Sequence, residues 1–133
     1  MNINDYITKL ESTINSSAIA SAYNLTIDRK AADIAFISGK IEFRNGSILD
    51  FKEFIESTEQ GIEKYKYAYN FRIGSVSFFR YDNTPDPNAK EIKTFPHHKH
   101  LKSGKIVESR QIELLYVLEE IENIYIREIE TDK

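Results

Sequence analysis

The sequence has no cysteine and no long apolar run. Without thiols, the chain cannot form structural disulfides, Cys-ligated zinc sites or iron–sulfur clusters, and cannot use a thiol nucleophile. No window approaches the ~20 apolar residues that span a bilayer, and no apolar core of a signal peptide follows the polar first residues. We therefore predict a cytoplasmic protein with no membrane partner. The chain is long enough to form a self-sufficient hydrophobic core.

Positive charge is concentrated in one segment of a chain whose formal net charge is −3. This sum argues against a nucleic-acid footprint over the whole surface, because neutralising phosphates requires a basic face. The segment 90–110 nevertheless carries +4, which leaves −7 for the remainder. A solvated face explains such a run, but an anion or phosphate site is the alternative. Its basic residues are Lys90, Lys93, Lys99, Lys102, Lys105 and Arg110.

All three histidines lie inside this basic segment, at His97, His98 and His100. Histidine exchanges protons near neutral pH and is the commonest neutral metal ligand in proteins. The histidines follow a proline-containing loop over 84–93, where no periodicity is visible. This segment is therefore the first candidate for a functional site.

The periodicity predicts an α+β fold in a single domain over residues 1–133. An apolar three-and-four spacing predicts an N-terminal helix over 3–22, and Ser109 is a candidate cap for a C-terminal helix over 109–128. Between them, alternating patterns predict an antiparallel β-meander of about four to five strands over 25–101, packed with both helices.

One hairpin register follows from the position of its turn. A three-residue loop over 44–46 with Gly46 in the left-handed conformation sets Ile41 opposite Leu49 on one apolar face. In the next strand, Tyr65, Tyr67 and Tyr69 alternate with Lys64 and Lys66. We interpret the tyrosines as core packing, although aromatic strands also stack on unpaired bases. The lysine face is the better candidate for phosphate contacts.

Alternation in an extended segment places His98 and His100 on one face and Lys99 on the other. Two mechanisms are open. The two histidines could bind a divalent metal, with Asp82 or Asp86 as a further ligand. Alternatively, without any cofactor, the histidines could act as acid and base on a ribose 2′-hydroxyl and its leaving oxygen.

In the second mechanism, Lys99 and Arg80 would stabilise phosphate charge, and Asp82 would orient one imidazole. Structural explanations compete with both mechanisms. Histidines in a loop also serve as polar struts, and an Asp82-Asn83 pair is a common turn starter. Arg80 is expected to be buried and to pair with Asp82, which could equally be a structural clamp.

Two sequence blocks resemble the signature of the TumE family of proposed toxins from toxin–antitoxin pairs. The first is Phe79–Pro85 (FRYDNTP) and the second is Thr94–His100 (TFPHHKH). The resemblance extends over about Ile41 to Ile124 and leaves the N-terminal third outside. It implies a toxin inhibited by an antitoxin that carries a helix-turn-helix domain. Asp86-Pro87 departs from the His-rich continuation of similar sequences, although Asp86 could itself be a ligand.

Three functions therefore remain under consideration. The first is a toxin with ribonuclease-like action, with His98, His100, Lys99, Arg80 and Asp82 as candidate catalytic residues. The second is a metal-dependent hydrolase or nucleotide-modifying enzyme, with His98, His100 and Asp86 as candidate ligands. The third is a non-catalytic binding module whose basic loop docks on an acidic partner or nucleic acid. Neither the substrate nor the oligomeric state follows from the sequence.

Overall fold

A computed structural model of the protein describes residues 1–131. It confirms the α+β fold, with one antiparallel sheet in which every strand pairs with the next along the chain. The sheet has seven strands rather than the predicted four to five. The elements are α1 (Ile3–Asn15), β1 (Ala20–Ala31), β2 (Ile34–Phe43), β3 (Ile48–Thr58), β4 (Gly61–Ile73), β5 (Val76–Asp82), a 3₁₀ turn (Pro87–Ala89), β6 (His98–Leu101), β7 (Ile106–Glu108) and α2 (Leu114–Thr131).

The N-terminal helix is shorter than predicted and ends at Asn15 rather than at residue 22. Its start follows the expected capping, since the Asn2 side chain accepts a hydrogen bond from the Asp5 amide at 2.8 Å. The Ser17 amide donates back to the Ile14 carbonyl at 3.0 Å, which closes the helix in a turn. The chain then enters β1 at Ala20, five residues before the predicted start of the sheet.

The predicted hairpin register is confirmed, with Ile41 paired to Leu49 and Gly46 at a φ of 84°. Another glycine of β2 is required by close packing. A side chain at Gly39 would place its Cβ 2.2 Å from the Phe51 ring, so this position admits only glycine without a shift of that ring.

A register shift in β4 changes the faces of two predicted residues. The pairing moves from Phe54–Lys66 to Ile55–Lys64, which leaves Tyr65 as the extra residue of a β-bulge. Consequently Tyr65 is 51% exposed, whereas Lys64 is only 8% exposed and faces the core. The prediction that Tyr65 packs in the core and that Lys64 lies on the outer face was wrong for this reason.

Both helices pack on the same face of the sheet and form the hydrophobic core with it. The C-terminal helix begins at Leu114, not at Ser109 as predicted. Ile112 precedes the helix and is buried. Its carbonyl accepts a hydrogen bond from Lys64 Nζ at 2.6 Å, so this carbonyl is engaged by a residue of β4 rather than by the helix. The sheet extends to Glu108, beyond the predicted end at 101, because β7 pairs with β6.

The other face of the sheet is lined mainly by polar side chains, and the segment 83–97 runs beside it. We call it the open face. Across residues 1–131, neither helix combines the length and apolar character that a membrane span requires.

Candidate functional site

Strand pairing at one end of the open face brings four predicted residues together. Arg80 of β5 pairs with His100 of β6, and Asp82 pairs with His98. Because residues directly opposite each other in a sheet project to the same side, all four side chains meet on the open face. We call these four residues the open cluster.

Asp82 lies at the centre of the open cluster. Its Oδ2 accepts a hydrogen bond from Arg80 Nε at 2.8 Å, which confirms the predicted pair. Its Oδ1 lies 3.2 Å from His98 Nε2, and its Oδ2 lies 3.5 Å from His100 Nε2. Oδ1 also accepts a hydrogen bond from the Thr84 amide at 3.0 Å, which holds the carboxylate in place. Asp82 thereby starts the predicted turn and forms the predicted pair with Arg80, and its carboxylate also lies against both imidazoles.

The hydrogen-bond partners constrain the protons on both imidazoles. His98 Nδ1 lies 2.7 Å from the Pro96 carbonyl, which can only accept, so this nitrogen carries a proton. His100 Nε2 lies 2.9 Å from Arg80 Nη2, which can only donate, so His100 Nε2 presents a lone pair. His98 Nε2 and His100 Nε2 are themselves only 2.9 Å apart.

A neutral His98 would leave its Nε2 lone pair facing another nitrogen lone pair and a carboxylate. This arrangement is unfavourable unless a proton or a cation lies between the three groups. One ligand atom from each of Asp82, His98 and His100 lies within 4.8 Å of the other two, which is the spacing of a metal-binding group. The site can therefore hold either a shared proton on His98 Nε2 or a divalent cation.

Burial gives the members of the open cluster different access to solvent. The side chains of His98 and Asp82 are 1% and 5% exposed, whereas those of His100 and Arg80 are 20% and 46% exposed. Among these four residues, His100 and Arg80 are the most accessible to a substrate. The exposure of Arg80 also corrects the expectation that its guanidinium is buried.

The open cluster lies beside a cleft of about 690 Å³ on the open face. Arg80 and Asp82 form part of its wall, and the loop after β5 contributes Thr84 and Pro85. Sequence analysis did not identify the residues that β2 and β3 contribute, which include Ser38, Asp50 and Lys52. The strand register places Ser38 and Lys52 in the row of Asp82, and Asp50 in the row of Arg80.

The environment of His100 lowers the pKa of its imidazole. Partial burial is the main cause, followed by the positive charge of Arg80, and the Asp82 carboxylate opposes both. A lowered pKa keeps His100 neutral at neutral pH. His97 also has a lowered pKa because it is partly buried, and its ring stacks on Tyr67 at 5.8 Å.

Two predicted site residues lie apart from the open cluster. Lys99 is on the helix-packed face, where its Nζ lies 2.7 Å from Glu120 and sits above the Phe79 and Tyr81 rings. The Asp86 side chain accepts a hydrogen bond from the Asn88 amide at 2.9 Å. Asp86 does not belong to the group of close ligand atoms that Asp82, His98 and His100 form. Asp82 takes the place of Asp86 as the carboxylate nearest the histidines.

Sequence analysis missed a second polar cluster in the core. The Glu53 carboxylate is fully buried and accepts hydrogen bonds from Tyr6 and from Tyr69, the latter at 2.5 Å. Lys64 Nζ donates to Tyr69 Oη at 2.7 Å and to Glu113 at 3.0 Å. The alternation of β3 places Glu53 between Phe51 and Ile55 on the apolar face, a signal that could have revealed it.

A seven-stranded meander with both helices on one face and an Asp–His–His–Arg group beside a cleft on the other defines an α+β protein with a candidate acid–base or metal site. The family model described as toxin TumE matches residues 9–127, so the chain belongs to the TumE toxin family. The match includes most of the N-terminal third, which the sequence resemblance left outside. No curated protein and no solved structure matches the chain.

Proposed function

We propose that this TumE-family toxin cleaves RNA at the open cluster, with His100 as the general base. The observation that carries the proposal is the position of His100 Nε2, which is 2.9 Å from Arg80 and 2.9 Å from His98 beside the cleft. A neutral imidazole next to a partly exposed guanidinium combines a proton acceptor with a phosphate ligand.

The contact between the two imidazoles assigns them different roles. Two imidazoles whose Nε2 atoms lie 2.9 Å apart cannot place these nitrogens on opposite sides of a phosphate as base and acid. His100 would take the proton from a ribose 2′-hydroxyl, and the 2′-oxygen would attack the adjacent phosphorus. The bond from phosphorus to the 5′-oxygen would break, and a cyclic phosphate would remain. Water in the open cleft would protonate the 5′-oxygen, and the hydroxide left behind would take the proton back from His100. The buried His98 and Asp82 would position His100, and the Asp82 carboxylate, which favours the charged form of this ring, would stabilise its imidazolium.

Arg80 would couple phosphate binding to the activation of His100. Its Nε is anchored on Asp82 at 2.8 Å, while its Nη2 donates to the nitrogen that must accept the proton. A phosphate in the cleft would attract the Nη2 group and release the His100 lone pair. The guanidinium would also stabilise the negative charge that develops on the phosphate.

The test combines growth inhibition in a heterologous host with cleavage of RNA by the purified protein. His100→Ala and His98→Ala should abolish both readouts, with cleavage lowered by about 10² to 10⁴-fold, a typical contribution of a general base. His97→Ala is the matched control, because His97 contacts Tyr67 rather than the open cluster. The variants should keep the wild-type circular dichroism spectrum and bind the antitoxin. Retained toxicity in both the His98 and His100 variants would reject the mechanism.

The convergence of lone pairs favours a second candidate, metal-dependent hydrolysis at the same residues. Ligands about 2.0 to 2.1 Å from a tetrahedral zinc ion lie roughly 3.3 Å apart. Asp82 Oδ1 lies 3.2 Å from His98 Nε2, the two imidazole Nε2 atoms lie 2.9 Å apart, and one ligand atom from each of the three residues lies within 4.8 Å of the others. Asp82, His98 and His100 would hold the ion, which would activate a bound water. Zinc or manganese bound at one ion per chain, and lost in Asp82→Asn, would support this candidate. Full RNA cleavage by chelator-treated, metal-free protein would reject it.

We further propose that the antitoxin partner carries a helix-turn-helix domain and acts in the cytoplasm. Membership in a toxin family supports an antitoxin partner in general. Co-expression of a small helix-turn-helix protein encoded in the adjacent reading frame should restore growth and co-purify with the toxin. If the adjacent reading frame encodes a protein that neutralises the toxin but has no helix-turn-helix domain, the predicted antitoxin type is rejected.

A further inference from the structure

The open face carries an unexpected row of aromatic rings next to the cleft. Phe36 of β2 pairs with Phe54 of β3, and their ring centroids lie 6.4 Å apart. Tyr65, which the β-bulge turns away from the core, lies 6.3 Å from Phe54. None of the three rings belongs to the hydrophobic core, and Tyr65 is half exposed. We call these three residues the aromatic row.

Unpartnered lysines separate the aromatic row from the open cluster. Lys66 pairs in register with Phe54, and Lys52 lies two residues before Phe54 on the same face. Both lysines are exposed, and neither has an ion pair or hydrogen bond from its side chain within the described part of the chain. The two arginines of this face differ, since Arg72 is paired with Asp50 and Arg80 with Asp82.

The register joins these features into one path across the sheet. Lys52 pairs with Ala68, Ala68 with Asp82, and Asp82 with His98. Three strand spacings, or about 14 Å, therefore separate Lys52 from His98, and Ala68 between them has only a small side chain. The cleft contains this stretch, since Lys52, Ala68 and Asp82 all line it.

We propose that the aromatic row and Lys52 and Lys66 form a binding subsite for single-stranded RNA, continuous with the proposed cleavage site. The inference rests on the proposed function for the identity of the ligand. Aromatic rings stack on unpaired bases irrespective of sequence, and lysines beside them neutralise the backbone. Acidic residues limit the footprint, because Glu56 accepts a hydrogen bond from the Tyr65 hydroxyl at 2.6 Å and pairs in register with the exposed Glu63.

This arrangement predicts a ligand with unpaired bases. Bases in a duplex are already stacked on each other, so the rings could not intercalate without disrupting pairs. A duplex of the same sequence should therefore bind more weakly than the single strand. The subsite should also tolerate many sequences, since neither rings nor lysines read the edges of bases.

Binding is measured by fluorescence anisotropy with a labelled single-stranded RNA of about ten nucleotides and the full-length His100→Ala protein, which removes the proposed base. In that background, the double variant Phe54→Ala and Tyr65→Ala should bind at least about tenfold more weakly. Tyr65→Phe, which keeps the ring and loses the bond to Glu56, should bind like the parent. Tyr116→Ala is the matched control, because this ring is 43% exposed on α2, away from the open face.

Three further variants separate stacking and charge from damage to the fold. Phe54→Leu keeps an apolar side chain and should still weaken binding, which packing alone would not explain. Lys52→Gln and Lys66→Gln should each lower the slope of log affinity against log salt by about 0.7. Unchanged affinity in the ring variants, or unchanged salt dependence in the lysine variants, would overturn the inference.

The binding experiment tests the RNA subsite separately from the proposed cleavage of RNA. If the wild-type protein does not cleave RNA but binding still requires the aromatic row, the subsite is supported and the ribonuclease proposal fails. If the wild-type protein cleaves RNA and the ring variants bind it normally, only the subsite fails. An aromatic row that binds the antitoxin and no RNA would also overturn the inference.

Discussion

The two polar clusters of this protein lie on opposite faces of one sheet and differ in how completely the protein satisfies them. The closed cluster consists of Glu53, Lys64, Tyr6 and Tyr69, and each of these residues is at most 8% exposed. Lys64 Nζ has an oxygen acceptor for each of its three protons, at 2.6, 2.7 and 3.0 Å. The open cluster instead has imidazole lone pairs and an exposed guanidinium that the protein alone leaves incompletely satisfied.

This difference separates a structural role from a chemical one. A buried charge whose partners are all protein groups is held in one position. It supports the fold only while those partners remain in place. Burial and the charge of Glu53 both raise the pKa of Tyr6 and Tyr69, so these hydroxyls stay protonated and keep donating to the carboxylate. The open cluster leaves a place for a proton, a cation or a phosphate. Titratable side chains alone therefore do not mark a candidate site, and the position of the open cluster beside a cleft is what distinguishes it from the closed cluster.

The largest expected effect on stability comes from opening the closed cluster. Glu53→Ala should lower the free energy of unfolding by about 3 to 5 kcal/mol. It leaves the buried Tyr6 and Tyr69 hydroxyls without their acceptor, at about 1 to 3 kcal/mol each, and removes a carboxylate that lies 3.9 Å from the Lys64 ammonium. Urea denaturation followed by circular dichroism measures the loss. His100→Ala in the open cluster should cost about 1 kcal/mol or less, because its ring is partly exposed. The reverse order of the two losses would contradict the distinction between the clusters.

A smaller effect is expected on the titration of His100. Arg80→Gln removes the neighbouring positive charge that disfavours the imidazolium, so the pKa of His100 should rise toward its usual value of 6.5. NMR titration of the histidine ring in chelator-treated protein measures the shift. Arg80→Lys keeps a positive charge and should leave the pKa low. A pKa that stays low in Arg80→Gln would assign the shift to burial and to the neighbouring His98, with no contribution from Arg80.

The sequence contained enough information for the parts of the fold that depend on local pattern. The register of Ile41 opposite Leu49 follows from a turn and two apolar faces, and the structure confirms it. The alternation around His98 also predicts which histidines share a face. These features are local because strand alternation and turn chemistry act over a few residues.

The parts that were missed depend on contacts between distant residues. The bulge at Tyr65 reverses the faces of Tyr65 and Lys64, and it becomes visible only when β4 is paired with β3. The buried position of Lys64 in turn depends on Glu53 and on the segment before α2. Strand alternation predicts that Lys99 lies on the face of the sheet opposite to His98 and His100. It does not predict that α2 packs there and supplies Glu120 as the partner of Lys99.

The smallest expected effect is therefore that of Lys99, which sequence analysis placed in the candidate site. The Lys99–Glu120 ion pair is partly exposed, at 19% and 23% of the two side chains, and such pairs contribute about 1 kcal/mol or less. Lys99→Gln should lower stability by no more than this, and it should leave RNA cleavage within about twofold of wild type because Lys99 faces α2. Arg80→Gln, on the open face, should lower cleavage substantially in the same assay, since it removes the proposed phosphate ligand. Equal losses in the two variants would show that a cation on the helix-packed face also reaches the substrate, and the separation of the two faces would then fail.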